Sequence, residues 1–205
     1  MKQALILDLD NTIYPVSSIA RHLFVPLFAL LDQNSDTIDV ESAKDELQRR
    51  PYHLVAEKYN FSPELTQTGL NMLRSIELDV PMQPFDDYQY IKSIPITKFL
   101  VTTGFPKLQW SKVKLMGLED DFAEIHIVDP DTSQQTKKDV FADILKRNNY
   151  TANDVLVIGD DPESEIKAAI ELGIDTFLFD PEGRHPNAAV THKATDLKDV
   201  LKHTM

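Results

Sequence analysis

Five short apolar runs are spaced along the chain: Ala4–Leu9, Lys98–Thr102, Glu124–Val128, Asp154–Ile158 and Asp175–Phe179. Each has the length of a strand and gives way to polar or small residues. Between the later runs, apolar positions recur at helical spacing over Lys107–Met116, Lys138–Lys146 and Ser164–Leu172. Strands alternating with helices predict a parallel sheet covered on both faces, an α/β, Rossmann-like, doubly wound core. The segment Asp196–Lys202 predicts a short closing helix, with Thr195 or Asp196 as its N-cap.

The alternation breaks between Pro15 and Pro84, where no strand pattern is found. Helical patterns fill that stretch instead, near Ser18–Leu31, Val40–Gln48, Tyr52–Tyr59 and Pro63–Ile76. Ser62 followed by Pro63 is a helix start, with proline at the first helical position. Pro81 and Pro84 mark Val80–Phe85 as a return linker. The expected organisation is a core of residues 1–14 and 85–205 with an inserted helical unit, a cap domain, over 15–84.

Composition narrows the function. The 205 residues are 42% hydrophobic and 26% charged, an ordinary globular mixture able to bury a core. A net charge of −12 argues against a nucleic-acid polymer or an anionic membrane as partner, because both call for basic patches. With no cysteine, disulfides, thiolate metal sites and Cys nucleophiles are all excluded. No apolar run reaches membrane-spanning length, and the N-terminus lacks a signal-peptide pattern, so a cytoplasmic protein is expected. The sequence carries no signal of oligomeric state.

In an open α/β sheet, ligands gather at the carboxyl ends of the strands. The first run ends ILDLDNT, and strand alternation can turn Asp8 and Asp10 toward one site. The second ends FLVTTG, placing Thr102, Thr103 and Gly104 at its tip. The fourth ends VLVIGDDPESEI, adding Asp160, Asp161 and Glu165. Crowded carboxylates need a counter-cation, and an all-oxygen set suits Mg²⁺. Mg²⁺ is commonly held by one or two carboxylates together with a substrate phosphate. Phosphoryl transfer there needs a nucleophile, positive charge on the phosphoryl oxygens and a proton for the leaving group. Asp, Thr and Lys side chains can supply all three.

The ordered set ILDLDNT, LVTTG and VIGDDPESE resembles the haloacid dehalogenase-like (HAD) hydrolase superfamily, in its first, second and fourth motifs. That resemblance implies Asp8 as nucleophile and Asp10 as general acid/base, with a backbone carbonyl of Asp10 also facing Mg²⁺. It implies Thr102 as a phosphoryl hydrogen-bond donor, with Thr103 and Gly104 beside the substrate, and Asp160 as a metal ligand. The helical insertion matches the position of the helical-cap subfamily, and DLDNTIYP is similar to its pyrimidine 5′-nucleotidase-like members. The third motif departs from the family pattern: no Lys-Pro is present, and QQTKKDVF offers Lys137 or Lys138 instead. Lys137, near the start of a helix, is preferred; Lys138 is the alternative substrate-binding lysine. Glu165 stands where Asp is common, and its longer arm suggests a water-mediated or lysine-orienting role. Asp161 is either a supporting site residue or a helix N-cap before Pro162.

The resulting expectation is an Mg²⁺-dependent phosphatase acting on a small phosphorylated metabolite, such as a nucleotide or sugar phosphate, through an aspartyl-phosphate. A 2-haloacid dehalogenase needs no acid two residues after the nucleophile, because halide departs unprotonated. A phosphomutase differs only in the acceptor. A catalytically inactive interaction protein would normally have lost Asp8 or Asp10, and a phospho-accepting receiver has no large insertion after its first strand. The six histidines lack zinc-site spacing. Trp110 is expected to pack on its amphipathic helix, and Glu119–Asp121 to form a solvated turn. In and beside the inserted region, Tyr14, Arg21, His22, Arg49 and Arg50 are within chain reach of a substrate, but each reads more simply as a surface or packing residue.

Overall fold

The computed structural model describes residues 1–34, 38–48 and 50–204, so Arg49 lies outside the described residues. Six parallel strands form one sheet: β1 Ala4–Leu7, β2 Thr97–Thr103, β3 Glu124–Val128, β4 Val155–Gly159, β5 Asp175–Phe179 and β6 His192–Ala194. Their spatial order is β3-β2-β1-β4-β5-β6, the doubly wound order expected, with β1 at the centre between β2 and β4. The winding reverses between β1 and β4, and the carboxyl ends flanking that point form a natural crevice.

Strand alternation builds two cores. Leu5 and Leu7 of β1, with Leu100, Leu156, Ile158 and Phe177, face one layer; Ala4 and Ile6, with Phe99, Val101, Val155 and Val157, face the other. Helices α1 Ala20–Asp32, α2 Val40–Leu47, α3 Tyr52–Lys58 and α4 Pro63–Ser75 all lie between β1 and β2 in the chain, and their apolar faces join the first core. Helix α5 (Tyr88–Ser93) and helix α6 (Pro106–Leu115) lie on that same side, contributing Tyr88, Ile91, Leu108 and Val113. Helices α7 (Lys137–Asn148) and α8 (Glu165–Glu171) cover the opposite face through Val140, Phe141, Ile144, Ala168 and Ala169. A 3₁₀ turn over Leu197–Val200 leads into α9 (Leu201–Thr204).

Local signals explain most element ends. Ser62 caps α4 by accepting from the Leu65 amide, and Asp39 caps α2 by accepting from Ser42. Thr136 and Asp139 form a reciprocal capping box at the start of α7. Of the two proposed caps of the final helix, Asp196 serves, accepting from the Lys198 amide. The first strand is shorter than its apolar run, stopping at Leu7 so that Asp8 begins the loop. Two elements have no counterpart in the sequence reading. Strand β6 is only HKA at a sheet edge, and α5 is six residues anchored by Tyr88 and Ile91, both too short to display a period. Glu119–Asp121 is a 3₁₀ turn, with Asp121 pairing with Lys92 and accepting from the Tyr88 hydroxyl. The largest departure is on α6: Trp110 is 38% exposed, whereas Gln109 (1%) and Lys112 (3%) are buried.

Candidate active site

The chain leaves β1 into a tight loop in which Asn11 adopts the left-handed conformation at φ 55°, one that Asn tolerates better than most residues. The Asn11 Oδ1 accepts from the Val16 amide at 3.0 Å, and the Ile13 amide donates to the Leu9 carbonyl at 2.9 Å. This loop presents Asp8 and Asp10 at the carboxyl edge of the central strand. The Asp8 amide is fixed by the Ile158 carbonyl of β4 at 3.0 Å.

Lys137 is the first residue of α7 and is buried; its Nζ donates to Asp8 Oδ1 and to Glu165 Oε2, each at 2.7 Å. Glu165, the first residue of α8, accepts from the Asp161 amide through Oε1 at 2.8 Å. Its carboxylate lies over Gly159, where an added Cβ would fall 2.1 Å from Oε1, so only glycine ends β4 without displacing it. Lys138, one residue on, points outward and pairs with Glu171 at 2.8 Å. It is not among the cavity-lining residues, so of the two lysines only Lys137 joins the cluster.

Asp8, Asp160 and Glu165 each place a carboxylate oxygen within 4.8 Å of the others. Burial pushes Asp8 up to about 7, with Lys137 opposing and the neighbouring carboxylates adding to the rise. Burial likewise raises Asp160 well above the usual carboxylate range, helped by Glu165 and Asp8. Asp161 is also raised, first by burial and then by Glu165. Burial acts against the Lys137 charge, but Asp8 and Glu165 outweigh it and raise the ammonium's pKa. One lysine among three carboxylates leaves the site short of positive charge. An all-oxygen, carboxylate-rich set of this kind fits a hard divalent cation. Thr12, which is buried, donates to Asp160 Oδ1 at 3.4 Å and helps hold it.

Asp10 sits in a different environment. Lys112 Nζ donates to both of its carboxylate oxygens, at 2.7 and 3.1 Å, and Gln109 Nε2 donates to Oδ2 at 3.0 Å. The Tyr14 hydroxyl also donates to Asp10, and Gln109 reaches the Thr102 hydroxyl at 2.7 Å. Burial works to raise the Asp10 pKa, but Lys112 and these hydrogen bonds prevail and hold it below the usual range. The Tyr14 phenol is raised, by burial first and then by the Asp10 charge. Gln109 and Lys112, one helical turn apart on α6, escaped the sequence reading, and Tyr14 was only one of several inserted-region candidates. No pattern in the sequence marks them, because it is the fold that turns Gln109 and Lys112 inward and leaves Trp110 partly exposed.

Above this floor lies a cavity of about 170 Å³. Asp8, Asp10, Thr102, Thr103, Gly104, Lys137, Asp160, Asp161 and Glu165 all line it, so every expected site residue except Lys138 is brought to one place. Helices α1, α2 and α4 supply apolar side chains on the facing wall, with Gln48, Arg50 and His53 beside them. Arg21 and His22 are not among the lining residues. No helix among the described residues is long and apolar enough to cross a membrane.

The doubly wound sheet, the acidic strand ends and the helical insertion define a Rossmann-like α/β core with a carboxylate-rich site at its carboxyl edge. Residues 2–173 match the family model for haloacid dehalogenase-like hydrolases, and the chain belongs to that family. It is 33% identical over 89 residues to ribulose-1,5-bisphosphate 5-phosphatase of Halopiger xanaduensis, covering 43% of this chain and 35% of that one. That match therefore spans only about a third of the relative's length. Glyceraldehyde 3-phosphate phosphatase of Pyrococcus furiosus is 21% identical over 84% of this chain and 78% of its own. Among solved structures, the HAD-hydrolase YfnB of Bacillus subtilis, bound to magnesium, superposes with a TM-score of 0.69. It shares 21% identity, with 99% of this chain and 98% of that chain covered, a likeness of fold.

Proposed function

We propose that the protein is a cytoplasmic, Mg²⁺-dependent phosphatase that hydrolyses a small phosphorylated metabolite through an aspartyl-phosphate on Asp8. The observation that carries this reading is the buried Asp8–Lys137–Glu165 arrangement beside Asp160, at the floor of a cavity beneath the inserted helices. In this reading residues 15–84 act as a cap over the core of 1–14 and 85–205, excluding water and limiting substrates to small molecules. The relatives named as ribulose-1,5-bisphosphate and glyceraldehyde 3-phosphate phosphatases support a sugar phosphate, and the DLDNTIYP segment supports a nucleotide.

An Asp8 carboxylate oxygen attacks phosphorus, the bond to the leaving oxygen breaks, and that oxygen takes a proton from Asp10. Ionised again, Asp10 takes a proton from water as the water oxygen attacks phosphorus, releasing inorganic phosphate and restoring Asp8. Lys112 favours the ionised, water-activating form of Asp10. Lys137 offsets the phosphoryl charge, and Thr102, with Thr103 and Gly104 alongside, holds the phosphoryl oxygens. Asp8 and Asp160, with the Asp10 carbonyl, would hold Mg²⁺, which would supply neutralisation of phosphoryl charge, while Glu165 orients Lys137. Support for that metal comes from the donor set and from the magnesium-bound YfnB structure. The presence of a second carboxylate, Asp10, two residues after Asp8 favours phosphate over a haloacid, whose halide leaves without a proton.

The test is hydrolysis of 4-nitrophenyl phosphate and a panel of nucleoside monophosphates and sugar phosphates, with Mg²⁺ or with EDTA. Turnover that depends on Mg²⁺ is expected. A silent panel, or full activity after exhaustive chelation, overturns the reading.

A further inference from the structure

The cavity has two unlike halves. Its floor is ionic, but the wall supplied by the inserted helices is Leu23, Phe24 and Leu27 of α1, Leu47 of α2, and Leu70 and Leu73 of α4. The phosphate end of a substrate belongs with the floor, so the organic body must lie against this apolar wall. Among the described residues, the polar groups that line the cavity from the insertion side gather at one edge, where Gln48 and Arg50 follow α2 and Tyr52 and His53 begin α3.

Resting on the phosphatase reading, we propose that the physiological leaving group is an alcohol carrying a single flat ring, aromatic or heteroaromatic, and is not a polyol. Three arguments support this. A polyol carries hydroxyls around its whole perimeter, and each one pressed against leucine without a partner weakens binding about ten- to a hundredfold. A ring loses nothing on that face and gains about tenfold or more by leaving water. Size sets a limit as well: the whole cavity, ionic floor included, is about 170 Å³, and a core cavity of about 150 Å³ is filled by one benzene ring, so the enclosed space leaves room beside the phosphate for only a small body. The polar edge at Gln48, Arg50 and His53 accommodates ring heteroatoms on one side only. The inference narrows the substrate away from the sugar phosphates for which the curated relatives are named.

Benzyl phosphate and glycerol 1-phosphate provide the comparison, because both release a primary alcohol and differ in the body attached to it. The expected result is a kcat/KM at least tenfold higher for benzyl phosphate. Leu70→Asn, at a half-buried position on the wall, should reduce that preference at least threefold. The ratio is insensitive to any misfolded fraction, which lowers both rates alike. Equal rates, or a preference for glycerol 1-phosphate, overturn the ring assignment while leaving the phosphatase reading in place. An unchanged ratio in Leu70→Asn overturns the placement of the ring on this wall. If 4-nitrophenyl phosphate is also inert with Mg²⁺, the phosphatase reading fails and the proposal fails with it.

Discussion

Two lysines of the same formal charge take opposite parts here, and their surroundings explain why. Adjacent positions on a helix point about 100° apart, so Lys137 and Lys138 cannot both reach the floor of the crevice. Lys137 is enclosed by Asp8 and Glu165, whereas Lys138 meets only the exposed Glu171. Lys137→Ala should therefore lower kcat by about 10²–10³, by analogy with loss of one oxyanion-hole donor. Lys138→Ala should stay near wild type, since an exposed pair contributes little. Steady-state kinetics on both variants decides between them, and the reverse order would exchange their roles. Asp8→Asn should abolish turnover yet keep a native circular dichroism spectrum, because an amide of the same shape cannot accept the phosphoryl group. Lys112 invites a stability test. Removing one partner of a buried ion pair costs about 3–5 kcal/mol, and the partly exposed Asp10 carboxylate puts Lys112→Met at or below the lower end. Thermal melts should show the loss, and adding Asp10→Asn should recover much of it by removing the stranded charge.

At the scale of elements, the site depends on where helices begin. The Thr136–Asp139 capping box fixes the first turn of α7 and therefore the point from which Lys137 enters the cluster. Losing such a cap costs about 1 kcal/mol; for a chain of this size that lowers Tm by about 2–4 °C. Thr136→Ala should show that fall by calorimetry, together with a smaller loss of kcat than Lys137→Ala; an unchanged Tm would remove the cap from the account. Glu165 is placed in the same way, as the first residue of α8 packed over the side-chain-free Gly159. The N-termini of two helices and the end of one strand thus set a geometry that no single element encodes.

At the scale of the whole molecule, charge is concentrated where the two halves of the sheet diverge. Buried Asp8 and Glu165 share one lysine with half-buried Asp160 beside them, and desolvation already holds Asp8 and Asp160 above the ordinary carboxylate range. A ligand that binds only the folded state stabilises it by mass action, about 2.7 kcal/mol at a hundred times its Kd. Mg²⁺ should therefore raise Tm by several degrees and EDTA should reverse the rise, followed by differential scanning fluorimetry. Asp160→Asn should shrink the response. A Tm indifferent to Mg²⁺ would separate the acidic cluster from metal binding.

The alternation of strands and helices, the helical stretch after the first strand, and the acidic and hydroxyl residues at three strand ends are legible in the chain alone. Those features are local: a buried parallel strand must be apolar, a helix must repeat its apolar face, and a carboxylate ending such a strand stands out against it. Elements too short to show a period, β6 and α5, left no comparable trace. It takes the folded chain to turn Lys137 inward, to lay Glu165 over Gly159, and to bring Gln109 and Lys112 of α6 onto Asp10. A lysine or glutamine on a helix is ordinarily solvated, and nothing in its own neighbourhood of sequence says otherwise. Its burial is decided by a carboxylate about a hundred residues away in the chain, which the folded sheet brings within hydrogen-bonding reach.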